Sequence, residues 1–248
     1  MSLINVSNLT FSYEGSYDNI FENVSFQIDT DWKLGFIGRN GRGKTTFLNL
    51  LLGKYAYSGN ISSTVKFEYF PYDVEDKSLY TIEVMKSICT ECMDWEIFRE
   101  ISLLDVQEDA LYRPFNTLSN GEQTKVLLAA LFLTASCFLL IDEPTNHLDI
   151  DARNVVQNYL KRKKGFILVS HDRSLLDQCV DHILSINKTN IEIQKGNFTS
   201  WWENKTLQDN FELAENKKLL KEIGRLSYAA KRSSNWSRVM LDIRLQKR

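Results

Sequence analysis

One stretch of eight residues limits the fold more than any other feature of this sequence. Residues 38–45 read Gly-Arg-Asn-Gly-Arg-Gly-Lys-Thr, which fits the pattern G-x-x-x-x-G-K-[ST]. An apolar run over residues 32–37 precedes the stretch. The apolar residues that follow recur with helical spacing, at Phe47, Leu48, Leu51 and Leu52. A strand, a glycine-rich turn and a helix in this order predict a phosphate-binding loop.

Each residue type in this loop suits the binding of phosphate. Glycines permit positive φ, so that successive backbone N–H groups converge on phosphate oxygens, and the helix N-terminus adds partial positive charge. Lys44 is expected to reach the β- and γ-phosphates, and the Thr45 hydroxyl to bind Mg²⁺. The predicted nucleotide-binding residues of the loop are Gly38, Arg39, Asn40, Gly41, Arg42, Gly43, Lys44, Thr45 and Thr46. A glycine-rich turn without a ligand is the weaker alternative.

Two carboxylates end a second apolar strand, and a histidine follows a third. Residues 138–141 lead to Asp142 and Glu143, and residues 166–170 lead to His171. Beside a phosphate loop, Asp142 can hold Mg²⁺ and Glu143 can accept a proton from the attacking water. His171 can contact the γ-phosphate or orient that water. In isolation the acids would be read as a strand cap and the histidine as structural.

A polar segment before a helix allows two interpretations. Ser119 and Glu122 have the spacing of a capping box, which is a purely structural role. The exposed N–H groups of a helix start also bind anions, which favours phosphate from another nucleotide-binding unit. The residues concerned are Ser119, Asn120, Gly121, Glu122 and Gln123.

The periodicity along the chain predicts its organisation. Strands alternating with helices predict an α/β fold with a mostly parallel sheet, and strict alternation over residues 24–28 predicts an added antiparallel element. Residues 81–104 are predicted to be helical. From Trp201 onward apolar residues recur at spacings of three to five, which indicates a long amphipathic helix. We therefore predict one domain over residues 1–200 and a helix over residues 201–248.

Composition excludes several classes of protein. With 3 Pro and 11 Gly among 248 residues the chain is neither collagen-like nor a Pro-rich linker. No apolar run reaches the roughly 18 residues of a membrane span, so no membrane insertion is expected. The cysteines at 89, 92, 137 and 179 lack the partners of a zinc site. We expect all four to be reduced, in a cytoplasmic protein.

Charge is distributed unevenly along the chain. The net charge is −2, but residues 217–248 carry ten Lys and Arg against two acidic residues. A solvated helix face is one interpretation, and binding to a polyanion such as RNA is the other. The predicted RNA-binding residues are Lys217, Lys221, Arg225, Lys231, Arg232 and Arg238.

Taken together and in this order, the motifs resemble the ATPase domain of ABC proteins over about residues 3–200. The resemblance implies an ABC-type P-loop NTPase fold with a helical subdomain, ATP and Mg²⁺ as cofactors, and hydrolysis of ATP to ADP and phosphate. It further implies that Tyr13 stacks on adenine and that Ser119 to Gln123 belong to the signature motif, which acts on a partner domain's ATP. In this resemblance Asp142 is the Walker B residue, Glu143 and His171 are catalytic, and residues 146–149 form the D-loop.

Residues 143–149, Glu-Pro-Thr-Asn-His-Leu-Asp, resemble the ABC-F family, whose members act on ribosomes rather than in membranes. Residues 32–35, 113–115 and 211–216 resemble its antibiotic-resistance branch. The implied function is protection of ribosomes against lincosamides, streptogramin A and pleuromutilins, with the basic helix as a linker that contacts ribosomal RNA. The alternatives are an ATP-binding subunit of a membrane transporter and an ATP-binding module that does not hydrolyse.

Three features depart from the family pattern. Tyr72 follows Phe70-Pro71 where the family usually has Gln, so slow hydrolysis is expected. Asn120 replaces the first signature glycine, and because asparagine tolerates left-handed backbone geometry better than most residues, we expect the turn to be kept. ABC-F chains resemble two ATPase domains joined by a linker, whereas this chain has one loop and one signature. We therefore expect a truncated linker and a second ATPase domain supplied by the same chain, a homodimer or another chain.

Overall fold

The structure is a computed structural model that describes residues 2–146, 148–187 and 190–245, with side chains as far as Ser227. The chain divides into two compact units, residues 1–199 and residues 200–248.

A six-stranded sheet forms the centre of the first unit. Its strands are β3 (Lys33–Ile37), β5 (Lys66–Phe70), β6 (Cys137–Asp142), β7 (Phe166–Val169), β8 (His182–Asn187) and β9 (Asn190–Lys195). They lie in the order β5-β6-β7-β3-β8-β9, parallel except for β9. The inner strands are continuous apolar runs because both faces of the sheet are covered.

A smaller antiparallel sheet packs beside it. Its strands are β1 (Leu3–Phe11), β2 (Phe21–Asp29) and β4 (Ser58–Ser62), in the order β2-β1-β4. The first helix, α1 (Lys44–Leu51), contributes Phe47, whose ring lies edge-on to Phe21 of the small sheet and Phe36 of the large one. One apolar core therefore joins both sheets and fixes the start of α1.

The remaining helices are α2 (Thr81–Ile88), α3 (Asp94–Leu103), α4 (Asn120–Leu133), α5 (Ile150–Arg162) and α6 (Arg173–Cys179). Both α2 and α3 pack on α4. Residues 125–131 of α4 are buried without interruption, which is the pattern of a helix surrounded by protein on all sides. The helix α7 (Phe198–Leu245) follows and forms nearly all of the second unit.

A buried ionic cluster connects α3 to α5. Glu100 of α3 has a side chain that is 2% exposed, and it accepts hydrogen bonds from Tyr159 at 2.5 Å and from Lys163. Burial alone would raise the pKa of Glu100, but the bonds from Lys163 and Tyr159 outweigh it and hold that pKa below its usual value. The cluster satisfies a carboxylate that would otherwise be costly to bury.

The architecture confirms the predicted fold class, with a mostly parallel sheet, an antiparallel element and a long final helix. No described helix combines the length and the hydropathy that a membrane span requires.

The expectation of four reduced cysteines is wrong for one pair. Cys89 and Cys92 form a disulfide, while Cys137 and Cys179 are free thiols. Cys89 caps the end of α2, and the Cys92 amide donates to its carbonyl at 3.3 Å. This turn brings the two Cα atoms to 5.5 Å, within the usual range for a disulfide.

Candidate functional site

The phosphate loop lies between the end of β3 and the first turn of α1. Gly41 and Gly43 have φ of 75° and 94°, a region in which side chains are strained. A Cβ on Gly43 would stand 2.5 Å from Ile20. Both the positive φ and the close approach of Ile20 therefore require glycine at position 43. The Arg42 amide donates to the Arg39 carbonyl at 3.2 Å and closes the turn.

Lys44 is held against its own loop. Its ammonium donates to the Gly38 carbonyl at 2.8 Å and to Asn40 Oδ1 at 3.4 Å. Burial lowers the pKa of Lys44, while Asp142 and Glu143 oppose that shift. The lysine is thus a cation placed between the loop and the two acids, as the binding of phosphate requires.

Asp142 and Thr45 meet at this edge of the sheet, although they lie 97 residues apart. The Thr45 hydroxyl donates to Asp142 Oδ2 at 3.3 Å, and the Tyr69 hydroxyl donates to the same oxygen at 3.1 Å. Burial and the neighbouring Asp142 charge raise the pKa of Tyr69 far above its usual value, so the phenol stays a donor. Tyr69 could not be recognised from the sequence, because a tyrosine in a strand carries no motif of its own.

These oxygens suit Mg²⁺. The ion takes oxygen ligands, and it is usually bound through one or two carboxylates together with substrate phosphates. Within the described residues no group of three or more His, Cys, Asp or Glu is placed to hold a metal alone. Thr45 and Asp142 would supply two ligand oxygens to an Mg²⁺ that is bound together with a nucleotide.

Glu143 points toward His171. Its backbone has φ of 50°, and its amide donates to the Val169 carbonyl at 2.9 Å. Glu143 Oε1 is buried, has no hydrogen-bond partner in the described part of the chain, and lies 3.5 Å from His171 Nε2. Burial raises the pKa of Glu143, and the charge of Asp142 adds to this, although His171 opposes it. A carboxylate with an unpaired oxygen and a raised pKa can accept a proton from water.

An aromatic cluster stands beside the loop. Tyr13 is 42% exposed, and its ring lies edge-on to Phe11 and Tyr55. Its hydroxyl shares a hydrogen bond of 2.8 Å with Thr46 Oγ1, so Thr46 contacts the tyrosine. The exposed fraction of the ring leaves surface on which a base could stack.

The signature segment forms the start of α4. Ser119 caps the helix, with its hydroxyl accepting from the Glu122 amide at 3.2 Å and Glu122 Oε2 accepting from the Ser119 amide at 2.8 Å. The Ser119 hydroxyl also donates to Glu122 Oε2 at 2.8 Å, and the two bonds that Ser119 donates to this carboxylate lower the pKa of Glu122. The Gln123 side chain donates to the Leu118 carbonyl at 2.9 Å. The structure therefore shows the capping box, and the start of the helix keeps its capacity to bind an anion.

The turn at Asn120 does not use left-handed backbone geometry. Asn120 is the first residue of α4, and it is not among the residues with positive φ. Gly121 follows it in the helix, where a Cβ would meet Leu148 at an ordinary contact distance of 3.5 Å. No left-handed residue is needed here because the turn is completed by the Ser119 cap.

The remaining predicted residues lie in the D-loop and in α7. Asp149 caps α5 by accepting from the Ala152 amide at 2.7 Å, and His147 lies outside the described residues. Lys217, Lys221 and Arg225 are exposed on α7 at spacings of four. The side chains of Lys231, Arg232 and Arg238 also lie outside the described part of the structure.

Known proteins are similar to this chain in sequence and in fold. The ABC transporter family matches residues 21–146, just over half of the chain. Ribosome protection protein VmlR of Bacillus subtilis is 31% identical over 77% of this chain and 35% of its own length. ABC transporter F family member 5 of Arabidopsis thaliana is 27% identical over 82% of this chain and 30% of its own. The chain spans about a third of the length of these relatives.

A solved structure of a metal-chelate type ABC transporter in an inward-facing conformation gives a TM-score of 0.66. It is 20% identical, and the match covers 79% of this chain and 84% of that one, which shows the fold alone. The family match covers residues 21–146, and these residues include both the phosphate loop and the acids at the edge of the sheet. This chain belongs to the ABC transporter family as an ATP-binding domain, and its relatives include members of the ABC-F branch.

Proposed function

We propose that this chain binds Mg·ATP at the edge of its central sheet and hydrolyses it. The observation that carries the proposal is the convergence of Lys44 and Thr45, at the start of α1, with Asp142 and Glu143, at the end of β6. When bound, Mg²⁺ would neutralise phosphate charge.

Each residue then has a separate task. The backbone of residues 38–43 and the Lys44 ammonium bind the phosphates, and Thr45 with Asp142 supplies ligand oxygens to the metal. Glu143 accepts the proton of the attacking water, and His171 contacts the γ-phosphate. Tyr13 stacks on the adenine.

The hydrolysis proposal is tested by phosphate release at several protein concentrations. Because the signature segment would act on a partner domain, turnover per chain should rise with protein concentration.

Turnover should also fall as pH drops through the pKa of Glu143, which is raised above the usual carboxyl value of about 4.3. Only the ionised form of Glu143 accepts a proton. Glu143→Gln should lower turnover by about 100-fold or more and keep ATP binding.

Lys77→Gln is the matched control, because this lysine lies outside the loop and its substitution should leave turnover unchanged. ATP binding without phosphate release at any concentration would instead support a module that does not hydrolyse, as Tyr72 in the Gln position suggests. Equal turnover in Glu143→Gln and the wild type would contradict the assignment of the base.

We further propose that the chain acts on ribosomes in the cytoplasm, in the manner of ABC-F proteins, and protects them against lincosamides, streptogramin A and pleuromutilins. A relative named as a ribosome protection protein supports this, as do the exposed cations Lys217, Lys221 and Arg225. RNA phosphates are the polyanions that such a helix would meet there. A second ATPase domain would complete each ATP site.

Sedimentation tests the ribosome proposal. The Glu143→Gln chain should co-migrate with ribosomes on sucrose gradients in ATP and separate from them without it. Charge reversal at Lys217, Lys221 and Arg225 should weaken co-migration and make it less sensitive to salt, because fewer counterions are released on binding. Fractionation with membranes in place of ribosomes would contradict the proposal and favour a transporter subunit.

A further inference from the structure

The register of the central sheet places Tyr69 beside Asp142. Strands β5 and β6 run parallel, and Tyr69 is paired with Leu140. Side chains two residues apart on a strand share a face of the sheet, so Asp142 projects on the same side as Leu140 and Tyr69. The proximity of the phenol and the carboxylate is therefore built into the backbone pairing.

Two hydrogen bonds converge on one oxygen of the Asp142 carboxylate. Tyr69 donates to Asp142 Oδ2 at 3.1 Å, and Thr45 donates to the same atom at 3.3 Å. Two donors from β5 and α1 thereby restrict rotation of the Asp142 side chain at the end of β6. A carboxylate with fixed orientation presents its oxygens to a metal with less loss of side-chain entropy.

The tyrosine ring is itself supported. Its side chain is partly buried, and the Lys54 ammonium lies 5.5 Å from the ring centroid. This distance allows a cation–π contact, in which the Lys54 ammonium is attracted to the face of the Tyr69 ring. The phenol is thus a rigid donor, anchored by the strand and by Lys54.

We propose that Tyr69 is a positioning residue for Mg²⁺, whose hydroxyl orients Asp142 toward Thr45. The proposal rests on the proposed binding of Mg·ATP, and it adds a residue outside the phosphate loop and the acid pair. Partners that hydrogen-bond a metal ligand typically change metal affinity by about 10- to 100-fold when they are removed.

The test compares ATP affinity with and without Mg²⁺. Tyr69→Phe removes the hydroxyl and keeps the ring with its Lys54 contact. Calorimetric or fluorescence titration of ATP is done in excess Mg²⁺ and in EDTA, for the whole chain. The gain in ATP affinity that Mg²⁺ confers should fall by about tenfold in Tyr69→Phe, with little change in EDTA.

Tyr112→Phe is the matched control, because it removes a hydroxyl from a side chain that is 60% exposed and has no assigned role. It should behave as the wild type in both conditions. The same Mg²⁺ dependence in Tyr69→Phe and the wild type, or an equal loss in EDTA, would overturn the positioning role alone. A wild-type chain that binds no ATP in either condition would overturn the proposed function, and this inference with it.

Discussion

Gly43 and Gly121 are both motif glycines, but the structure constrains them differently. Gly43 has φ of 94° and stands where a Cβ would approach Ile20 to 2.5 Å, whereas a Cβ on Gly121 meets only Leu148 at 3.5 Å. Left-handed backbone costs a non-glycine residue roughly 1–2 kcal/mol, before any clash is counted. The first glycine is therefore needed for this chain's own folding, and the second is not.

We predict that Gly43→Ala lowers the free energy of unfolding by about 2 kcal/mol or more and weakens ATP binding, because both strain and the Ile20 contact distort the loop. Gly121→Ala should unfold at the same denaturant concentration as the wild type or slightly higher, since alanine favours a helix. Urea unfolding measures both. Equal destabilisation by the two substitutions would show that the loop geometry described here is wrong.

At the scale of elements, the contact between α3 and α5 depends on a buried charge. The Glu100 side chain is 2% exposed. Arg99 also forms an ion pair with Glu100, at 3.1 Å, but the Arg99 side chain is 53% exposed. Removing one member of a buried pair leaves the other charge unpaired, which commonly costs about 3 kcal/mol or more. An exposed pair contributes only about 0–1 kcal/mol.

We predict that Glu100→Gln lowers the free energy of unfolding by about 3 kcal/mol at neutral pH, and that Arg99→Gln lowers it by less than about 1 kcal/mol. Because the folded-state pKa of Glu100 is lowered, its contribution is present above the ordinary carboxyl pKa and is lost as pH falls through the folded value. The difference between Glu100→Gln and the wild type should therefore shrink in acid. A difference that is constant with pH would contradict this role.

Helices and strands whose apolar residues recur with a clear periodicity could be predicted from the sequence. The strands before the loop and before Asp142 are apolar runs with a functional residue at the end, and α4 follows a capping box. The contacts of Tyr69 and Glu100 could not be predicted. They join residues 73 and 59 positions apart, and they depend on which strands and helices become neighbours. The disulfide could not be predicted either, because the spacing of Cys89 and Cys92 does not show whether the chain turns sharply enough to bring the two sulfurs together.

At the scale of the whole molecule, the two units carry different kinds of chemistry. Residues 1–199 hold the phosphate loop, the acids and the signature segment, while the second unit presents exposed apolar residues and cations along α7. In the described part of α7 the exposed apolar side chains include Leu207, Phe211, Leu219, Ile223 and Leu226. The ATP site and the proposed RNA-binding helix can therefore be tested separately.

The central claim is that the loop around Lys44 binds ATP. Isothermal titration of Mg·ATP into the wild-type chain should give a saturable heat with a stoichiometry near one per chain. Lys44→Ala should abolish that heat while the chain still unfolds cooperatively, because the substitution removes the cation that is proposed to bind the phosphates. Saturable heat of the same size in Lys44→Ala, or none in a folded wild-type chain, would contradict the account.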